Sequence, residues 1–170
     1  NMLSCEKPII AAVNGYALGL GATVALLADV AVVTPSTQFA DTHVNMGIGA
    51  GDGGQVIWPF LIGVNRAKYY LMSGDKIGGK EAVEMGLASF IVPEDDQLLP
   101  RAIEIASTLA AGAPLAVAAS KLAVNAYLRS ISATVFPLAA RAQEETMGSN
   151  DHQEAIAAFQ EKRAPRFTGK

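Results

Sequence analysis

The sequence predicts an α/β fold, with an α/β core over residues 1–93 and an α-helical region over residues 94–170. The core prediction rests on two continuous apolar runs, at 9–13 and 30–33, which are typical of strands buried on both faces of a parallel sheet. Between them, residues 22–28 have the length and composition of a buried helix, so the three segments form a βαβ unit. The second region has helical patterns and no further strand pattern.

Proline, glycine and small polar residues set the boundaries of the other elements in the core. Pro35 and Ser36 end the second strand, and Gly74 and Gly86 close two helices. Pro59 falls inside a helix and is expected to disturb it. These remaining elements are a short strand at 37–40, helices at 52–61, 65–72 and 80–85, and a strand at 87–92 that stops at Pro93.

Two prolines also mark the helical region. Pro114 suits the first turn of a helix, and Pro137 lies near enough to the start of its helix to predict a kink rather than a stop. The predicted helices are 98–111, 114–129, 132–147 and 151–163.

Composition and charge are those of an ordinary globular domain. The 170 residues are 51% apolar and 17% charged, which gives enough apolar content for a large core and too little charge for a disordered chain. A net charge of −3 with scattered Lys and Arg argues against a nucleic-acid partner. The single cysteine, Cys5, excludes an internal disulfide framework and fits a reducing cytoplasm.

The sequence also argues against a membrane partner. No apolar run reaches the roughly 18 residues of a membrane span, and the first residues do not form a signal peptide. We therefore expect a cytoplasmic protein. The chain opens with Asn1 and reaches an apolar strand almost at once, and a lone βαβ unit cannot cover its own sheet. We accordingly expect that N-terminal strands of the fold are missing.

A Gly-x-Gly turn, Gly19-Leu20-Gly21, stands at the start of the first predicted helix. Small residues there can simply allow a tight turn. Alternatively, the N–H of Leu20 can point from the helix N-terminus at a substrate oxygen and hold an oxyanion. The turn is not a dinucleotide-binding fingerprint, because Val24 occupies the position of the third glycine. The sequence therefore predicts neither a nucleotide cofactor nor redox chemistry.

His43 and Asp52 are the candidate residues for proton transfer. His43 is one of two histidines, and imidazole titrates near neutral pH. Asp52 follows nine residues later, among the glycines of residues 47–54 that open the next helix. Asp52 can be a helix N-cap only, or it can accept a hydrogen bond from the His43 ring and orient that ring as a base.

The remaining polar residues are weaker candidates. His152 lies in a predicted helix-cap region and is expected to be solvated. Phe167 and Lys170 follow Glu161-Lys162-Arg163 and form a cationic end. That end either compensates a helix dipole or contacts a phosphorylated ligand. The sequence has no cluster with metal-ligand spacing, so no metal is predicted.

Several segments together resemble the enoyl-CoA hydratase/isomerase (crotonase) superfamily. The most specific is Lys7–Gly19, with the sequence KPIIAAVNGYALG. The others are Ala28-Asp29, Gln38-Phe39, Gly51–Gly54, Leu71–Ile77, Ala82–Pro93 and Phe159–Arg163. The resemblance covers nearly the whole chain. It implies a core of ββα turns arranged as a spiral, a C-terminal helical trimerisation region, and assembly into homotrimers or hexamers.

The resemblance also implies chemistry at a carbonyl group. The substrate would be an acyl-CoA or a related compound whose carbonyl becomes an enolate, held by two backbone N–H groups. The second of these donors falls on Leu20, between Gly19 and Gly21, and the first belongs to an N-terminal segment absent here. Coenzyme A enters only as part of the substrate, so no separate cofactor is expected. Phe167 and Lys170 are the candidates to contact it.

This chain departs from the family at its catalytic positions. Enoyl-CoA hydratases use two glutamates, and the matching positions hold Thr23 and His43. Thr23 cannot act as a base at neutral pH. His43 with Asp52 is instead similar to the pair in the 6-oxocamphor hydrolase type of carbon–carbon bond hydrolase, in which the His activates water and the Asp orients it. That type has a further His near the oxyanion loop, and residues 15–27 contain none.

Three hypotheses follow. The first is an enoyl-CoA hydratase-like enzyme in which His43 and Asp52 replace the two glutamates. The second is a hydrolase that cleaves a β-diketone by a retro-Claisen reaction on the same scaffold. The third is a catalytically silent family member or fragment.

Overall fold

The six strands of the core form two small sheets. The computed structural model describes residues 2–170. The first sheet contains β1 (Ile10–Ala12), β3 (Val30–Val33) and β6 (Phe90–Ile91), in the order β1-β3-β6 and all parallel. The second contains β2 (Tyr16–Leu18), β4 (Gln38–Ala40) and β5 (Ile77–Gly78), in the order β2-β4-β5. In this sheet β2 and β4 are parallel, and β5 is antiparallel to β4.

The first four strands are divided in turn between the two sheets. The chain runs from β1 to β2, through helix α1 (Leu20–Leu26), and then from β3 to β4 before helix α2 (Gly54–Ile62). The predicted βαβ unit is therefore present, with β2 added after β1 and β4 added after β3. This is the ββα order that the family resemblance implies.

The other helices follow in chain order. They are α3 (Val64–Ser73), α4 (Gly79–Glu84), α5 (Leu98–Ala110), α6 (Pro114–Met147) and α7 (Asn150–Gln160). Three short 3-10 turns lie at Met2–Ser4, Val44–Met46 and Asp95–Gln97.

Four features of the secondary structure differ from the prediction. β2 and β5 were not predicted, and the strand expected at 87–92 is reduced to β6. The helices expected at 114–129 and 132–147 are one continuous helix of 34 residues. Ser130 and Ser132 do not interrupt it because neither residue removes a backbone donor or blocks helical dihedral angles. Pro137 also lies inside α6, so it does not stop the helix.

Two apolar clusters hold these elements together. The larger one lies between the sheets and helices α1 to α4, and Trp58, Phe39 and Ile77 are among its fully buried side chains. The smaller one packs Val32 of the first sheet against Leu98 and Ala102 of α5. Burial of a side chain of this size contributes about 1.5–3 kcal/mol, so these contacts fix the frame that carries the loops.

Helix α6 leaves large apolar side chains on the surface of the chain. Leu115, Val124, Tyr127 and Leu138 of this helix are all exposed. A trimer contact would cover side chains of this kind, and the trimerisation role of this region stays a prediction.

Within residues 2–170, no single helix is long and apolar enough to cross a membrane. The pair Asp95–Ala110 and Pro114–Met147, bent by 109°, meets the length and composition criteria only when taken together.

Candidate active site

The candidate residues meet at one edge of the second sheet. β2 and β4 are parallel neighbours, and Leu18 at the end of β2 pairs with Ala40 at the end of β4. The N–H of Gly19 donates to the carbonyl of Ala40 at 2.9 Å. The residues that follow the two strands therefore emerge side by side. One strand leads into the Gly-x-Gly turn and the other into His43.

The Gly-x-Gly turn opens α1 as predicted. Gly19 is the N-cap, with φ 52° and ψ −122°, and Leu20 is the first helical residue. A backbone N–H at this position has no acceptor in its own helix and points out of the helix end. Gly19 lies against the imidazole, because a Cβ built on it would be 3.5 Å from Cε1 of His43. The predicted oxyanion donor is thus adjacent to the predicted proton-transfer residue.

An apolar groove runs along the start of α1. Its volume is about 660 Å³, and Tyr16, Leu20, Gly21 and Val24 are among its lining residues. A Cβ on Gly21 would meet nothing within 4 Å. The groove therefore offers open apolar space beside Leu20.

The His43 ring lies between two carboxylates. Its Nδ1 is 2.6 Å from Oδ1 of Asp41, and its Nε2 is 3.3 Å from Oδ2 of Asp52. The side chains of His43, Asp41 and Asp52 are only 11%, 1% and 14% exposed. A carboxylate accepts hydrogen bonds, so both ring nitrogens face groups that favour a proton on them. The sequence predicted the approach of Asp52 but not that of Asp41.

This arrangement determines the charge on the ring. The hydrogen bond to Asp41 and the contact with Asp52 raise the pKa of His43 to about 10, against the opposing effect of burial. His43 is therefore an imidazolium at neutral pH. A ring with both nitrogens protonated cannot accept a proton, so this charge state favours a proton donor at His43 over the predicted base. The Nδ1 atom of His43 is held by Asp41, whereas Asp52 faces Nε2.

Asp52 is positioned by Thr23 as well as by His43. The Thr23 hydroxyl donates to Oδ1 of Asp52 at 2.9 Å, and the N–H of Gly54 makes a longer contact of 3.4 Å with the same oxygen. Burial raises the pKa of Asp52, but the contacts with His43 and Thr23 lower it by more, and the net pKa lies below its ordinary value. The N-cap of α2 is Gly53, so Asp52 is not that cap.

The three side chains also form a candidate metal-ligand group that the sequence did not reveal. One ligand atom from each of Asp41, His43 and Asp52 lies within 4.8 Å of the others. Both nitrogens of His43 already face a carboxylate oxygen. A metal ion could bind the ring only by replacing one of its protons. The arrangement fits an imidazolium between two anions better than a metal centre.

The structure places the weaker candidates around the loop that follows His43. Phe167 lines a second groove with Val44, Gly47 and Lys68, next to that loop. The carbonyl of Lys170 accepts the N–H of Asn150 at 2.8 Å, so the main chain of the C-terminal tail caps α7. The predicted contact of Phe167 and Lys170 with CoA stays a prediction.

Two expectations for charged residues near the C-terminus change. Arg163 of the predicted cationic end is paired, and its Nη2 donates to Glu154 at 2.9 Å. The prediction that His152 is solvated is wrong. Its side chain is part-buried, and its Nδ1 lies 2.7 Å from the carbonyl oxygen of Met46.

Comparison with known proteins places the chain in a family. The putative enoyl-CoA hydratase/isomerase of Bacillus subtilis is 36% identical over 163 residues, which are 96% of this chain and 62% of that protein. The crotonyl-CoA hydratase of Syntrophomonas wolfei is 35% identical over 97% of this chain and 63% of its own length. The chain spans about three fifths of the length of the curated relatives it matches.

Solved structures share the fold. An enoyl-CoA hydratase/isomerase from Mycobacterium paratuberculosis superposes with a TM-score of 0.87 and 31% identity, over 92% of this chain and 61% of that one. An enoyl-CoA hydratase/isomerase from Pseudoalteromonas atlantica gives a TM-score of 0.91 and 29% identity, over 98% and 67%. These likenesses support the crotonase-like α/β fold. All of residues 1–170 match the family described as enoyl-CoA hydratase/isomerase, and the chain belongs to that family of the crotonase superfamily.

Proposed function

We propose that this protein hydrates an enoyl thioester, of which an enoyl-CoA is the natural form, with His43 and Asp52 in place of the two glutamates of the family. One observation carries the proposal. Thr23 occupies one of the two glutamate positions, and its hydroxyl holds the Asp52 carboxylate 2.9 Å away. The Asp52 carboxylate therefore lies beside Thr23, at the position where the family has a glutamate. His43 occupies the other glutamate position.

The charges on Asp52 and His43 indicate which residue accepts a proton and which donates one. The Asp52 carboxylate takes a proton from water, and the oxygen adds to the β-carbon of the substrate. The electron pair of the double bond moves toward the thioester carbonyl, where the N–H of Leu20 is one donor to the enolate oxygen. The His43 imidazolium then gives a proton to the α-carbon.

The contact between the two residues closes the cycle. After the reaction Asp52 holds the proton from water and His43 has lost one. The 3.3 Å separation between Asp52 Oδ2 and His43 Nε2 allows that proton to pass directly to the ring. One water is consumed, and the protein returns to the carboxylate–imidazolium state in which it started.

The competing proposal is the retro-Claisen hydrolase. The nine-residue separation of His43 and Asp52 is compatible with it, and the apolar groove beside Leu20 fits a diketone as well as an acyl group. That mechanism requires His43 to accept a proton from water. The two carboxylates that face the ring work against this role, because they favour its protonated form.

The test is an assay of the full-length protein with crotonyl-CoA and a cyclic β-diketone side by side. We expect turnover of crotonyl-CoA, and a loss of roughly 100-fold or more in both His43→Ala and Asp52→Asn. Asp96→Asn is the matched control, because Asp96 is an exposed carboxylate in the turn Asp95–Gln97. Turnover of the diketone alone would replace this proposal with the hydrolase. Turnover of neither would support a silent family member.

The pH dependence of the rate distinguishes the two roles of His43. A neutral histidine base gives a rate that rises through its pKa, whereas an imidazolium acid gives a rate that falls as it is deprotonated. We expect kcat/KM for crotonyl-CoA to have no rising limb near pH 6.5, which is the ordinary pKa of histidine. A rising limb there that disappears in His43→Ala would assign the ring as the base.

A further inference from the structure

His152 connects the C-terminal helices to the loop that carries His43. It lies in the first turn of α7, where its backbone N–H donates to the Ser149 side chain at 3.1 Å. Its ring Nδ1 is 2.7 Å from the carbonyl oxygen of Met46. A carbonyl oxygen only accepts hydrogen bonds, so Nδ1 carries a proton and donates it. The contact spans 106 residues of the sequence.

Met46 is also hydrogen-bonded to the main chain of His43. The N–H of Met46 donates to the carbonyl of His43 at 2.9 Å, and the N–H of Ile48 donates to the same oxygen at 3.1 Å. The peptide units on both sides of Met46 are therefore fixed, one by the main chain of His43 and the other by the ring of His152. The turn Val44–Met46 cannot rotate without breaking one of these bonds.

The same loop touches the C-terminal helices at two further points. Gly47 has φ 67°, and a Cβ there would lie 2.8 Å from the backbone of Asp151, so only glycine allows this approach. The N–H of Gly49 donates to the Thr146 hydroxyl at 3.0 Å. The start of α7 and the end of α6 thus hold the loop from one side. Of these contacts with the loop, the one that His152 makes is at Met46, the contacted residue nearest to His43 in the sequence.

We propose that His152 is a positioning residue, which keeps the His43 ring aligned between Asp41 and Asp52 through the Met46 carbonyl. This proposal rests on the proposed function for its effect on turnover. Its effect on the His43 ring itself does not depend on any substrate. The C-terminal helices then contribute to the site by fixing the catalytic loop of their own chain.

Three substitutions test this role. Asn places an amide donor close to the position of Nδ1, whereas Gln places it close to the position of Nε2, and Ala removes it. His152→Ala and His152→Gln should lower kcat for crotonyl-CoA by roughly 10- to 100-fold with little change in KM, because a small misplacement of a catalytic group has this effect. His152→Asn should restore most of the turnover. Gln153→Ala, at an exposed position of the same helix, is the control.

A spectroscopic measurement reads the His43 ring directly. In protein labelled with ¹⁵N in histidine, the Nδ1 and Nε2 resonances of His43 should shift in the Ala and Gln variants and stay in place in Asn and in the control. If His152→Ala does not fold, the comparison of Gln with Asn carries the test. Unchanged His43 resonances in His152→Gln, or a failure of Asn to restore them, would overturn the proposal.

The two proposals can fail separately. If the wild-type protein does not hydrate crotonyl-CoA, the proposed function fails, and the His43 resonances still decide whether His152 positions the ring. If hydration occurs and the variants lose only thermal stability, with kcat and the resonances unchanged, His152 is structural and the positioning role is wrong.

Discussion

Thr23 and Asp52, which lie 29 residues apart in the chain, are joined by a 2.9 Å hydrogen bond from the Thr23 hydroxyl to Oδ1 of Asp52. Thr23 is fully buried in α1, and Asp52 stands just before α2. Thr23, which cannot act as a base at neutral pH, therefore positions the Asp52 carboxylate, which can accept a proton. The bond also fixes the start of one helix against the start of the next.

Removal of the Thr23 hydroxyl should change the titration of Asp52. In Thr23→Val the side chain keeps its shape but donates no hydrogen bond, so the pKa of Asp52 should rise toward its ordinary value. The variant should also lose about 1–3 kcal/mol of stability, because the part-buried Oδ1 loses its hydroxyl donor. Carboxyl ¹³C shifts followed against pH measure the first effect, and urea unfolding measures the second.

Thr23→Ser is the control for that substitution. Serine retains the hydroxyl and loses only a methyl group, so the pKa of Asp52 should stay below its ordinary value. An equal rise of this pKa in the Ser and Val variants would show that packing at position 23, rather than the hydrogen bond, determines the charge on Asp52.

Asp41 should influence His43 more strongly than Asp52 does. The hydrogen bond that the His43 ring donates to Asp41 is the largest cause of the raised pKa of His43, and its length is 2.6 Å, against 3.3 Å for the contact with Asp52. Both Asp41→Asn and Asp52→Asn should lower the pKa of His43 from about 10, and Asp41→Asn should lower it further. Titration of the His43 ring by NMR gives both values. The opposite order would mean that Asp52 is the main partner of the imidazolium.

The raised pKa of His43 predicts a specific loss of stability at alkaline pH. The pKa of His43 is about 10 in the folded chain and has its ordinary value of 6.5 in the unfolded chain. Between these two pH values the folded state holds a proton that the unfolded state has released. The stability from His43 is fully present below pH 6.5 and declines as the pH rises to 10, by at most about 1.4 kcal/mol per pH unit.

The measurement is urea unfolding of the wild type and of His43→Asn at intervals from pH 6 to 10.5. Contributions of other titrating groups largely cancel in the difference between the two proteins. We expect the difference to shrink through this window. A difference that stays constant with pH would mean that His43 has an ordinary pKa, and the assignment of the imidazolium would be wrong.

The sequence predicted the pairing of His43 with Asp52 but not the group that holds the ring. Continuous apolar runs identify β1 and β3, although only β3 is largely buried, and glycines identify the starts of α1 and α2. β2 has three residues, of which only Ala17 is buried, so it has too little pattern to be detected. Its parallel pairing with β4 brings Gly19 beside Asp41 and His43, and this long-range contact leaves no local signal.

Other parts of the site depend on contacts between distant segments. The spacing of Asp41 and His43, two residues apart at the end of a strand, is the one signal that could have indicated Asp41 as a partner of the ring. The roles of Thr23 and His152 had no such signal, because each contacts a residue 29 or 106 positions away. The local sequence around these residues is typical of helix faces and helix caps, and it carries no information about the distant segments that contact them.

Gly19 and Gly21 make a matched pair of substitutions at the Leu20 turn. Gly19→Ala should lose about 1–3 kcal/mol of stability, because φ 52° with ψ −122° is unfavourable for an L-residue. Gly21 lies inside α1 with nothing within 4 Å of a Cβ, so Gly21→Ala should gain about 0.5–1 kcal/mol. Urea unfolding of both variants measures the difference. Equal effects would mean that the backbone at Gly19 relaxes into an ordinary conformation, and the Leu20 N–H would then lose the direction on which the proposed oxyanion site depends.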